Sequence, residues 1–150
     1  MTQRKKYRDL ILGNVVSLDE ISQEGRWPFL WLSNQIYEGK SILKVNTVDF
    51  IVAKILDSKG RIYKFSRKRG HFDVYVIGTF RKVFRPTYYV AEALADFYLE
   101  MKVLPNIIAI PKHEFMKDAR RYTNRIRGGV LLYERGRGLF ERGTTFSQKL

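Results

Sequence analysis

The sequence predicts an α+β fold, and three observations carry that prediction. Residues 1–40 show helix signals alone, the pattern turns to period two from Val48 onward, and beyond Thr87 the apolar residues return to helical spacing. The architecture expected is a helical N-terminal third packed on a mainly antiparallel sheet, with two further helices in the C-terminal half. A chain of 150 residues suits one domain, 1–150. Within it, residues 1–40 form a candidate helical sub-module and 134–150 a flexible Arg-Gly tail.

Each element has a local reason. Residues 4–12 read as a first helix, stopped by Gly13-Asn14. Ser17-Leu18-Asp19-Glu20 is a capping box, in which Ser17 bonds the Glu20 amide and Glu20 reaches back; it opens a short helix over Leu18–Gln23, ended by Gly25. Pro28 suits the first position of a third helix, because its missing N–H would be unpaired there anyway. That helix runs to Glu38, with Phe29, Leu32 and Ile36 on one face and Trp27 and Trp31 in the core.

Val48, Phe50 and Val52 then alternate with Asp49, Ile51 and Ala53. Asp57-Ser58-Lys59-Gly60 makes a turn and Arg61–Phe65 alternates again, which predicts a hairpin. Phe72–Ile77 reads as a third strand and Thr79–Phe84 as a fourth. Thr87–Lys102 is a helix with Val90, Leu94, Phe97, Tyr98 and Met101 as its apolar stripe. Leu104-Pro105 breaks it, and Asn106–Ile110 is a buried strand. Lys112–Arg127 reads as a basic helix, Gly128-Gly129 as its stop and Val130–Tyr133 as the last strand.

Composition narrows the function classes. With 45% apolar and 14% aromatic residues the chain has the makings of a core, unlike a disordered basic tail. No stretch reaches the ~20 apolar residues of a membrane span, so no membrane partner is expected. MTQRKKYRDL has no apolar run behind its charges, so a secretory signal is not expected either. There are no cysteines, which excludes disulfides, thiolate zinc and thiol catalysis and fits a cytoplasmic setting, or a host cytoplasm for a viral chain.

Charge is the strongest functional signal. The net +13 is uneven: 11 basic against 3 acidic residues over 41–86, and 10 against 4 over 112–150, with 1–40 nearly neutral and 87–111 slightly acidic. Such self-repulsion calls for a polyanionic partner, and nucleic acid, DNA or RNA, leads. One candidate interface is a basic β-ribbon carrying Lys54, Lys59, Arg61, Lys64, Arg67, Lys68 and Arg69 with Tyr63, Phe65 and His71 interleaved, a pattern that can track phosphates and stack bases. Its plain alternative is a strand edge kept soluble by lysine. The second is Lys117, Arg120, Arg121, Arg125 and Arg127, extended by Arg135, Arg137 and Arg142; Lys117, Arg121 and Arg125 would share one helix face. Its plain alternative is a solvated helix.

Other groups carry less. Glu92, Asp96 and Glu100 fall four apart, the ordinary geometry of a solvated face, and suit pairing with cations of another segment or of a second copy. His71 and His113 lack ligand spacing, and no phosphate loop, nucleophile elbow or zinc motif is present. No cofactor or metal is expected on these residues.

Two partial resemblances add expectations. Tyr7–Leu12, Val16–Ser22 and Pro28–Glu38 resemble the first helices of a winged helix-turn-helix, with the 48–65 hairpin as the wing. Its recognition helix would lack Lys and Arg from Pro28 to Tyr37, which implies protein contact rather than base readout. Residues 48–133 are similar to the PD-(D/E)XK nuclease superfamily: Asp49 precedes a hairpin that ends in Ser66-Arg67-Lys68. The similarity implies an Mg²⁺-dependent endonuclease in which Asp49 holds the metal and Lys68 polarises the phosphate or its water. Ser66 departs from the pattern's acid or amide, which removes a ligand, and Glu38 would have to be the first acid. The sequence therefore reads first as a nucleic-acid-binding protein rather than an enzyme. An Mg²⁺-dependent nuclease is the alternative, and a basic subunit of a ribonucleoprotein or phage assembly, or a homo-oligomer, the third reading.

Overall fold

The computed structural model describes residues 2–13, 15–21, 29, 48–56, 70–83, 85, 91–101, 103–136 and 138–139. In chain order the elements are α1 (Thr2–Leu12), β1 (Val16–Ser17), a 3-10 turn (Leu18–Glu20), β2 (Val48–Leu56), β3 (Gly70–Gly78), α2 (Ala91–Met101), β4 (Val103–Pro111), α3 (Lys112–Lys117), α4 (Ala119–Ile126), β5 (Val130–Glu134) and β6 (Gly138–Leu139). Helices and one mixed sheet make the fold α+β. The strands lie in the order β1-β5-β2-β3-β4, with β6 beside β5. The β2–β3, β2–β5 and β5–β6 ladders are antiparallel, while β3–β4 and β1–β5 are parallel. No helix among the described residues is long and apolar enough to cross a membrane.

Strand directions give the sheet two ends. At the upper end, the carboxyl ends of β3, β4 and β5 meet the start of β2, through Val48↔Gly78, Gly78↔Pro111 and Phe50↔Glu134. At the lower end, the close of β2 meets the starts of β3, β4 and β5, through Leu56↔His71, Gly70↔Val103 and Ala53↔Val130. Phe50, Ile51, Val52 and Ala53 are buried one after another, so both faces of the central strand are covered. On the face of Phe50, Tyr7 meets Phe50 and Phe115 edge-on at ring distances of 5.6 and 5.9 Å, and Phe115 stacks on Tyr122 at 5.7 Å. Leu94 and Phe97 bring α2 into the same core.

Several expectations change. The strand that pairs with β2 in a hairpin is Gly70–Gly78; the turn at 57–60 and the strand at 61–65 lie outside the described residues. Thr79–Val83 is not a strand: β2 begins and β4 ends opposite Gly78, so among the described residues no ladder partner continues past it; Phe84 is outside the described residues. Leu104 and Pro105 do not break the chain between elements but sit inside β4, an edge strand, where a residue without an N–H is tolerated. The helix expected over 18–23 is a single turn. Its Glu20 carboxylate accepts from the Ser17 N–H at 3.2 Å, and Ile21 is already extended at φ −104°, ψ 144°.

The basic helix expected over 112–127 is two helices. Asp118 stands between them at φ −133°, ψ 51°, its N–H shared by the carbonyls of Glu114 and Phe115 at 3.3 Å each. Aspartate suits such a break, because its carboxylate competes with regular helix bonding. Gly128, at φ 82°, turns the chain out of α4 as expected. Gly129 then passes so close to β2 that a Cβ there would lie 2.8 Å from the Ala53 carbonyl oxygen. The third helix, over 28–38, with Trp27 and Trp31, is outside the described residues except for Phe29, which is helical and fully buried.

Candidate nucleic-acid interface

The lower end of the sheet joins parts of the two basic segments. Segment 57–69 leaves β2 and returns to β3 there; Lys59, Arg61, Lys64, Arg67, Lys68 and Arg69 themselves lie outside the described residues. Helix α4 runs toward the same end and finishes beside Gly129 with Arg125 and Arg127 exposed. The join is direct: the Lys54 ammonium donates to the carbonyl oxygen of Arg125, 71 residues away. Burial lowers the Lys54 ammonium below the ordinary lysine range; the Asp73 carboxylate acts against that, and the Arg127 charge adds to it.

A polar row crosses three strands at this level. Lys54 stands opposite Asp73, and Asp73 opposite Asn106. Asp73 Oδ1 accepts from Asn106 Nδ2 and Oδ2 from the Tyr75 hydroxyl, both at 3.1 Å. The Tyr75 hydroxyl is pushed up by burial and then by the Asp73 charge and hydrogen bond, against a smaller opposing effect of Arg125. Asp73 is thus bonded by two neutral donors, while the guanidinium groups of Arg125 and Arg127 make no ion pair with a described residue.

The remaining predicted cations are dispersed. Lys117 belongs to α3, so the break at Asp118 removes it from the stripe shared with Arg121 and Arg125. Arg120 is exposed on α4. Arg121 is exposed but lies 3.5 Å from the Asp118 carboxylate, three residues earlier. Arg135 is at the upper end, away from Lys54: its Nε donates to Asp49 Oδ1 at 2.7 Å and its N–H to the Asp49 carbonyl at 2.8 Å. Arg137 and Arg142 are outside the described residues.

Asp49 occupies a β-bulge between the pairs Val48↔Gly78 and Phe50↔Ile77. Beside it, Glu134 accepts from both Nε and Nη2 of Arg8. The Tyr7 hydroxyl is buried there without a hydrogen-bond partner, raised by burial first and by the Asp49 charge second, and Lys112 Nζ stands 4.8 Å from its ring centroid. Among the described residues no three His, Cys, Asp or Glu side chains come together as a metal site. Glu92 and Asp96 are exposed on α2, and His113 lies 3.9 Å from Glu114. Lys68, Ser66 and Glu38 of the nuclease-like pattern are outside the described residues, as are the side chains of Glu100 and His71.

Sequence reasoning missed the Asp49–Arg135 and Arg8–Glu134 pairs and the polar row. Only the row left a trace, since Asp73 and Tyr75 are two apart in a strand and share a face. No family model, curated protein or solved structure matches this chain.

Proposed function

We propose that the chain binds nucleic acid, DNA or RNA, by gripping the phosphate backbone at the lower end of the sheet. The observation that supports this most is the Lys54–Arg125 contact, which sets the exposed Arg125 and Arg127 beside the two roots of the basic segment 57–69. Cations contributed by separate segments to one end of a sheet can contact several phosphates at once and release their counterions. Binding of this kind is salt-sensitive and nearly indifferent to sequence. The lack of cysteine suits the reducing cytoplasm, where such a partner is met. Asp49 fits a structural part, as the clamp on the Arg135 turn.

The test is binding to duplex DNA, single-stranded DNA and RNA over a range of salt, with and without Mg²⁺. Replacing Arg125 and Arg127 by Ala should weaken binding and reduce the slope of log K against log salt by about one unit for each phosphate no longer neutralised. The triple change of Arg67, Lys68 and Arg69 to Ala should weaken it more than that of Arg4, Lys5 and Lys6. Affinity that ignored salt would refute the proposal. Mg²⁺-dependent cleavage that disappears in Asp49→Asn would put a nuclease in its place.

A further inference from the structure

We propose that the upper end of the sheet is a second, independent phosphate-binding surface, so that one copy of the chain holds two nucleic-acid segments at opposite ends. This rests on the nucleic-acid reading of the lower end. The Gly78↔Pro111 pair sets the carboxyl ends of β3 and β4 side by side. Past Gly78 the chain carries Arg81, Lys82 and Arg85, and past Pro111 it carries Lys112, all four exposed. None makes an ion pair with a described residue, whereas Arg8 and Arg135 at the same end are held by Glu134 and Asp49. Four exposed cations therefore follow two adjacent strand ends with no ion-pair partner among the described residues. Lys112 is steadied by the Tyr7 ring beneath it.

Distance makes the two surfaces separate. From the Lys54–Asp73 pair to the Gly78–Pro111 pair is a run of five residues along β3, on the order of 16 Å at ~3.3 Å per residue. That is about twice the ~8 Å screening length of physiological salt. Phosphates bound at one end scarcely alter the potential at the other, so two segments can be held together without repelling each other off the protein.

The experiment uses the full chain. A biotinylated DNA duplex is immobilised, protein is bound and washed, and a second, fluorescent duplex is added; an RNA duplex of the same sequence runs in parallel. Single-duplex affinity is measured by anisotropy. The parent should capture the second duplex. Arg81→Ala/Lys82→Ala/Arg85→Ala should lower that capture by about tenfold while keeping most of its single-duplex affinity, and Lys112→Gln should fall between. Circular dichroism checks that both variants stay folded. A parent that binds one duplex but captures no second, or a triple variant that captures as well as the parent, overturns this inference and leaves the lower-end reading standing. A parent that binds neither duplex overturns both.

Discussion

The two ends of the sheet treat their acids in opposite ways. At the upper end Asp49 and Glu134 hold Arg135 and Arg8, so two arginines are fixed in the fold and their charges offset. At the lower end Asp73 is bonded by a tyrosine and an asparagine, and Arg125 and Arg127 remain exposed. A cation's role thus depends on whether a carboxylate within reach is already occupied, which residue counting cannot show. The contrast can be tested by moving or removing its parts.

The largest effect should come from Gly129→Ala, whose Cβ would meet backbone oxygens of Ala53 and Ile126 at 2.8 and 3.0 Å. Overpacking against backbone costs about 1–3 kcal/mol, and here it pries α4 away from β2. Thermal melting should register the destabilisation, and nucleic-acid affinity should fall although no charge has changed. Undiminished affinity in the destabilised variant would mean that the Lys54–Arg125 contact does not organise the lower end.

Glu134→Ala comes next. The carboxylate is 8% exposed and its partner Arg8 46% exposed, so water can solvate the released guanidinium only in part. A loss of about 1–2 kcal/mol is expected. A double-mutant cycle with Arg8→Ala should recover most of it as coupling, and a cycle without coupling would remove the pair from the account of the upper end.

Tyr7→Phe should act the other way. Deleting a buried hydroxyl that has no partner relieves a desolvation cost, a gain of about 1 kcal/mol. The sign with pH follows from the raised hydroxyl. In the unfolded chain Tyr7 ionises near its ordinary value of 10.0, while in the fold it stays neutral. Its contribution is therefore complete below pH 10.0 and is lost as pH rises past that value. Chemical denaturation across that range should show a shallower alkaline loss in Tyr7→Phe than in the parent.

The smallest effect belongs to Asp49→Asn. The pair with Arg135 is 16% and 41% exposed on its two sides, and its removal should cost about 0.5 kcal/mol. Removing the Asp49 charge leaves one negative charge fewer at the upper end, so affinity in low salt should be unchanged or slightly higher. Weaker binding would show that the clamp, and not the charge, matters there.

What the sequence made legible was local. Gly13, Gly128 and the Ser17–Glu20 signal mark element ends through backbone preferences of a few neighbouring residues, and Leu94 and Phe97 mark the buried face of α2 by their spacing. Pairing was not legible. Thr79–Phe84 carries the strand-forming Thr79, Phe80, Val83 and Phe84, but among the described residues the neighbours of β3 stop at Val48 and Pro111, and only the assembled sheet shows that. Lys117, Arg121 and Arg125 promised a continuous stripe until one aspartate left helical geometry. At the candidate site, the meeting of Lys54 with Arg125 depends on the chain returning after 71 residues, and nothing local encodes that return.

The placement of β5 bears on the order in which the molecule is built. It supplies the strand beside β1, the second neighbour of β2 and the partner of β6, and its Glu134 receives Arg8 from 126 residues earlier. As the chain emerges during synthesis, β2 and β3 can zip together at once. Strand β1, which precedes both, has among the described residues no ladder to join until β5 has left the ribosome. Such distant pairing slows folding, since the loop must close before the pairing can offset the entropy of closing it. β1 therefore waits more than a hundred residues of synthesis for its ladder partner, and Arg8 as long for its carboxylate.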